Sequence, residues 1–421
     1  MSSVASNDSA DQKKDCDPYS AGEQGLGYIF QPRFALYQAL ELPEDTAILI
    51  EKEDDLDFLE SSGKKTLASL KHKAVGERLT DLSVDFWKSV NIWLTRYLAN
   101  GRVESDYQFF LFTTSSVAPD SFLKFFLYGA NTTEAQPSLW QLTENTLATS
   151  KAKSFTKIKE LLSKLTALEK EDFVSRITII DSTPRIGDLP ALIKAQKMRP
   201  IRAEHRDAVF ERLEGWWNDL IIQMLCEPQS EPAYVRDVSE KLFNFSEEYK
   251  DDNLPITFED AIPTSPIDVS LDNRLFVSQL RELKLSPSRI RNAILDYYRA
   301  FEQRSAWARQ RLVGSEEIMK YERRLTNEWE RTKDVLFDDD ALGASIEDCS
   351  DSELIAVAKK LYTWAETEAQ KLDHLKIRAR VTEPYVLRGS FQILANKRPY
   401  PTVYWHPQLL DRLSKAAGET E

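Results

Sequence analysis

Glu51, Glu53, Asp54, Asp55 and Asp57 crowd the end of one apolar segment, and Lys71 closes the next one along the chain. Metal-dependent cleavage of a phosphodiester uses such residue types. Carboxylates hold one or two magnesium ions, which activate water and offset charge on the scissile phosphate. A lysine beside the attacking water adds fixed positive charge where negative charge develops. Asp55 and Lys71 occupy those two roles, and Glu51 lies just upstream of the acidic pair. Around them Lys64, Lys65, Lys71, Lys73 and Arg78 outnumber the acid Glu77, a local attraction for a phosphate backbone. The plainer reading of the same residues is a solvated strand end with a surface ion pair worth about 0–1 kcal/mol.

The elements on either side decide whether these groups can meet. Apolar residues Ile29, Phe30, Phe34, Tyr37 and Leu40 recur at helical spacing, and Pro43 stops that helix. Ile48, Leu49 and Ile50 in a row predict a buried strand. Residues 55–60 continue as a half-exposed strand, turn at Ser61-Ser62-Gly63, and pair with residues 65–72. The hairpin sets the acidic cluster against Lys71. Residues 81–101 form an amphipathic helix with Phe86, Val90, Trp93, Leu94 and Tyr97 on one face, followed by an aromatic strand over 106–115. A helical stretch over 138–165, a strand over 175–181 and a long helix over 202–227 complete an α/β domain.

Beyond Pro228 strand signals fade. Long helices are expected over 288–310, 314–337 and 353–372, an acidic loop joins the last two, and residues 385–410 switch to strand and turn character. Residues 1–20 are too polar to bury anything and read as a disordered tail. The organisation is thus a tail over 1–20, an α/β domain over 21–228 and a mainly α-helical domain over 229–421. The chain of 421 residues has ample core for two domains. A formal charge of −13 disfavours coating nucleic acid by bulk charge. Three scattered cysteines disfavour a disulfide framework or a cysteine zinc site. With no signal peptide and no apolar run of about 18 residues, a cytoplasmic protein without a membrane anchor is expected. There is no P-loop and no Gly-x-Ser-x-Gly elbow, so any ATP-driven step belongs to another subunit.

The segments "GYIFQPRFALYQAL", "ILIEKEDDLDF" and "LASLKHK" resemble the N-terminal domain of prokaryotic anti-phage effectors with a PD-(D/E)xK restriction-endonuclease-like fold. The resemblance implies a mixed sheet flanked by helices and a magnesium- or manganese-dependent DNA endonuclease. Residue by residue, Gln31 matches the helix glutamine, Glu51 the leading acid, Asp54 and Asp55 the acidic pair, and Lys71 the catalytic lysine. Glu51, Asp54 and Asp55 would hold the metal. The family's glutamine, or glutamate in related nucleases, is Ser69 here. Either the site works through Asp55, Lys71 and water, or Glu53 or Glu77 substitutes, or activity is lost. The segments "FVSQLRELKLSPSRIRNAILDYYRAFEQRSAW", "RARVTEPYVLRGSFQILAN" and "VYWHP" resemble the C-terminal domain of effectors in ABC-three-component defence systems. That resemblance implies an SMC-like ATPase and a small middle component as partners, with double-stranded DNA as the substrate. A nuclease effector and a catalytically inactive adaptor that binds DNA or the ATPase both follow from this pattern.

Overall fold

The computed structural model describes residues 22–130, 138–149, 153–227, 231–338 and 345–418. The expected tail over 1–20, and part of the acidic loop after Asp338, lie outside the described residues. The chain divides into two compact units between Ser246 and Glu247.

The first unit is built on a mixed six-stranded sheet. In chain order its elements are α1 (Gly22–Ala39), β1 (Ala47–Ile50), β2 (Leu56–Leu59), β3 (Lys65–Lys71), β4 (Arg78–Leu79), α2 (Val84–Ala99), β5 (Tyr107–Thr113), β6 (Ser116–Val117), α3 (Leu139–Thr149), α4 (Lys153–Leu162), α5 (Ala167–Ser175), β7 (Ile177–Ile180), α6 (Leu189–Gln196), α7 (Arg206–Cys226), β8 (Ala233–Tyr234) and α8 (Val235–Glu247). Strand order is β7-β5-β3-β2-β1-β8, and β4 and β6 form a separate two-stranded ribbon. The hairpin of β2 and β3 is antiparallel with Leu59 opposite Lys65, as the Ser-Ser-Gly turn requires, and β3 runs parallel to β5 through the α2 crossover.

Alternation along each strand splits its side chains between the two sheet faces. Phe109 on one face stacks on Trp93 of α2 at 5.6 Å, within a core that includes Trp87, Phe86, Leu111 and Phe173. Phe112 on the other face meets Phe34 of α1 at 5.0 Å. Each such aromatic side chain contributes about 2–3 kcal/mol of burial. Covering both faces also buries Asp57, expected on a half-exposed strand and in fact fully enclosed.

Composition placed the domain boundary at 228/229, yet the sheet takes an edge strand from β8, and the division falls at the end of α8. Two residues of strand leave almost no compositional trace.

The second unit holds α9 (Leu275–Glu282), α10 (Pro287–Arg309), α11 (Ser315–Leu336), α12 (Asp351–Thr367), α13 (Pro384–Ala395) and α14 (Leu409–Gly418). A reciprocal capping box of Ser350 and Glu353 opens α12. The strand expected within 385–410 is instead the helix α13, with Pro384 at its start. The run of Val386, Leu387, Phe391 and Leu394 reads as strand-like because α13 is buried nearly all round, which hides the helical period. Gly389 explains that burial. A Cβ there would lie 2.1 Å from the Asp296 carbonyl oxygen of α10, so the two helices touch backbone to side. Arg299 and Arg304 of α10 make contacts within the unit: Arg299 Nε donates to the Ala261 carbonyl at 3.0 Å and Arg304 pairs with Glu322 at 2.5 Å.

Candidate active site

The loop that carries Asp55 begins where β1 ends, after Ile50. Glu51 takes a left-handed turn (φ 53°), and its N–H bonds back to the Asp55 carbonyl at 3.1 Å, closing a tight loop over 51–55. The buried Asp57 carboxylate holds that loop from inside, accepting the N–H of Glu53 and of Asp54 at 3.2 Å each. Asp54 turns inward. Its Oδ2 accepts from the Trp93 indole of α2 at 2.6 Å and its Oδ1 from the Asp55 N–H at 3.0 Å. Burial and the neighbouring Asp55 push the Asp54 carboxyl up to about 6, against the pull of Trp93. Burial pushes Asp57 up to about 7, against the Lys65 ammonium 3.8 Å away.

So oriented, the Asp55 carboxylate gathers four donors from two elements, α1 and β3. Gln31 Nε2 of α1 donates to Oδ1 at 3.2 Å. The Ser69 hydroxyl at 3.3 Å, the Leu70 N–H at 2.6 Å and Lys71 Nζ at 3.1 Å all donate to Oδ2. Lys71 and Asp55 keep about a fifth of their side chains open, 21% and 20%, so the pair can be reached from solvent. Ser69 is enclosed and receives the Ser89 hydroxyl of α2 at 2.7 Å. Gln31 is fixed by its helix: Trp217 Nε1 of α7 donates to the Pro32 carbonyl at 2.7 Å, and Arg33 forks onto Glu214.

Of the expected site residues, the structure therefore joins Gln31, Asp55, Ser69 and Lys71. Glu51 is exposed on the turn, and Asp54 spends both carboxylate oxygens inside the fold. Glu53 does not take the place of the missing acid beside Ser69. It is paired with Lys65, accepts from the Tyr107 hydroxyl at 3.1 Å and lies 3.8 Å from Arg96. Glu77 is likewise engaged, 3.3 Å from Lys73. The expected basic cluster is offset by acids: Lys64 pairs with Glu60, Lys65 with Glu53 and Asp57, Lys71 with Asp55, and Lys73 with Glu77 and Asp85. Sequence reading missed Asp57, Ser89 and Trp93 as supports. An aspartate between Leu56 and Phe58, inside a strand of a doubly covered sheet, was the available signal.

Magnesium at phosphate sites is usually held by one or two carboxylates, several waters and the substrate's own phosphates rather than by an all-protein cage. Among the described residues no group of three or more His, Cys, Asp or Glu is arranged to hold a metal ion. Asp55 Oδ1, with one donor on it, keeps a lone pair free. The donor set fits a cation that arrives with a phosphate-bearing substrate and does not fit a preformed cage.

Residues 276–413 match the profile of C-terminal domain 7 of the ABC-three component (ABC-3C) systems. This supports membership of an ABC-3C system. The matched segment runs from α9 to α14. No curated protein matches the sequence. Among solved structures, the chain is similar to the Acinetobacter baumannii Cap4 SAVED/CARF-domain containing receptor with the cyclic trinucleotide 3′3′3′-cAAA, at 17% identity and a TM-score of 0.31, over 53% of this chain and 46% of that one. The Moraxella osloensis Cap4 SAVED/CARF-domain containing receptor matches at 16% identity and a TM-score of 0.30, over 62% of this chain and 60% of that one. The chain thus spans about half the length of the solved structures it matches, and likeness at these scores carries no functional weight. Among the described residues no helix is long and apolar enough to cross a membrane.

Proposed function

We propose that the protein is the effector of an ABC-3C system and that its first unit, with a restriction-endonuclease-like fold, cleaves double-stranded DNA with magnesium or manganese. The observation that carries this reading is the convergence of Gln31 and Lys71 on a part-exposed Asp55. A carboxylate in the loop just before β2 and an ammonium at the end of β3 lie 3.1 Å apart, two of the protein groups a metal-dependent phosphodiester cut uses. A bound cation would be held by Asp55 and would supply Lewis acidity and a more acidic water. Lys71 would bear positive charge against the oxygens of the scissile phosphate, and Gln31 would hold the Asp55 carboxylate in one rotamer. The buried layer of Asp57, Asp54 and Trp93 fixes the backbone that aims Asp55, a support that a site needs and a solvated strand end does not.

The second reading, an adaptor without catalysis, draws on Ser69. A short hydroxyl, already bonded to Asp55 and Ser89, stands where a nuclease presents a longer ligand. Incubating supercoiled plasmid with the protein and magnesium or manganese separates the two. It is done alone and with the system's ATPase and middle component, the partners that this reading names. Nicking or linearisation that needs the metal supports the effector; intact plasmid bound in a partner complex supports the adaptor.

A further inference from the structure

The parallel strands β3, β5 and β7 end side by side, at Lys71, Thr113 and Ile180. In open α/β sheets, ligands bind beyond such carboxyl ends. The Asp55–Lys71 pair occupies the β3 end. Beyond the β7 end runs the loop that leads into α6, and it carries Arg185.

That loop is pinned along its length. The N–H groups of Ser182 and Thr183 donate to the Ser115 and Thr113 carbonyls at 3.1 and 2.9 Å, and the Arg185 carbonyl accepts from the Asp188 N–H at 2.9 Å. The Ile186 carbonyl accepts from Arg33 of α1 at 3.4 Å. From this fixed backbone the Arg185 side chain reaches to the end of β3, where Nη1 donates to the Lys73 carbonyl at 2.9 Å. Lys73 stands two residues past Lys71, at most about 7 Å of chain, or one to two nucleotides along a DNA strand.

Charge separates Arg185 from its neighbours. Lys71 is matched to Asp55, and Lys73 to Glu77 and Asp85. His72, between them, is held below the usual imidazole range by burial and by the Arg185 cation, so it adds no charge at neutral pH. Arg185 itself has no acid paired with it among the described residues. Its Nε and Nη2 make no bond within the fold and neither is enclosed, so both can be reached from solvent. A guanidinium fixed at one nitrogen and open at the others suits the oxygens of a phosphate.

We infer that Arg185 is a DNA-backbone contact of the Asp55 site, holding a phosphate next to the scissile one so that the strand lies across Lys71. The choice of ligand rests on the nuclease reading, and the test does not rest on cleavage.

The full chain is titrated against a short fluorescein-labelled DNA duplex by anisotropy, with calcium in place of magnesium and over a salt series. At about 50 mM salt the wild type should bind with Kd below about 100 µM. Arg185→Gln should weaken binding about fivefold or more. It should also make the slope of log K against log salt shallower by about 0.9, the loss of one phosphate contact. Arg185→Lys, which keeps the charge, should retain the slope. Lys320→Gln, which removes the same charge from α11, should change neither quantity, and thermal melting checks that each variant folds. No binding by the wild type, or equal binding by wild type and Arg185→Gln, would overturn the assignment. So would equal losses in Arg185→Gln and Arg185→Lys with an unchanged slope, which would make Arg185 only a clip between two loops. Weakened binding by Arg185→Gln, together with plasmid left intact by the assembled system, would sink the nuclease reading and keep the DNA contact.

Discussion

Asp55 receives a side-chain amide, a hydroxyl, a backbone N–H and an ammonium, and only the last can be removed without disturbing the fold around it. Lys71→Met keeps the aliphatic stem and loses one charge-assisted hydrogen bond, a stability cost of about 1–2 kcal/mol. Trp93 acts one step further back. Trp93→Phe leaves a ring in the core but strips the donor from Asp54, a buried carboxylate with 7% exposure. We expect a loss of about 1–3 kcal/mol by urea denaturation. Cleavage should fall as well, although Trp93 touches no substrate, because Asp54 also receives the Asp55 N–H. A variant with wild-type stability would mean that the indole bond is not what holds the loop. The pairing of Asp55 with Lys71 was legible in the residues themselves, because a hairpin register fixes which strand ends meet. The inward turn of Asp54 was not. Adjacent aspartates look alike in sequence, and only the position of Trp93 on α2 decides which of them faces the core.

At the scale of elements, local period predicted α1, α2, β2, β3 and β5, whose neighbours in sequence are also their neighbours in space. It failed at α13, where burial on nearly every side erases the amphipathic stripe, and at β8, whose pairing with β1 is set by tertiary contact alone. The α10–α13 contact gives two tests. Gly389→Ala would press a methyl group into the Asp296 carbonyl and onto Ala300 Cβ, 2.4 Å away. Rigid backbone cannot yield there, so a loss of about 3 kcal/mol or more is expected, read as a lower Tm of the second unit. An unchanged Tm would show that the helices separate freely. Asp296 itself is held up at about 6, mainly by burial and despite Arg388 at 3.7 Å. The folded chain keeps a proton that the unfolded chain releases near pH 4. This group therefore costs nothing below about 4, and its penalty grows as pH rises towards 6. Asp296→Asn has no proton to lose, so its Tm relative to the wild type should rise between pH 4 and 7. A difference that stays flat with pH would contradict the shift.

The whole molecule sets the proposed cleavage site against a net charge of −13 and lysines already matched to acids. If such a chain binds DNA as proposed, it does so through few phosphate contacts, so its own affinity should be weak and fall only shallowly with added salt. Tethering supplies what charge does not. If the segment 276–413 docks onto system components that hold DNA, the effective DNA concentration at Asp55 rises without new contacts. The account stands or falls on cleavage by the assembled system. Supercoiled plasmid is incubated with magnesium or manganese and the ATPase and middle component, using wild-type protein and Lys71→Met in parallel. We predict cut DNA with wild type, none without metal, and a rate at least about 100-fold lower with Lys71→Met. Equal cleavage by the two proteins, or none by either under conditions where the complex forms on DNA, would contradict the catalytic role given to Asp55 and Lys71.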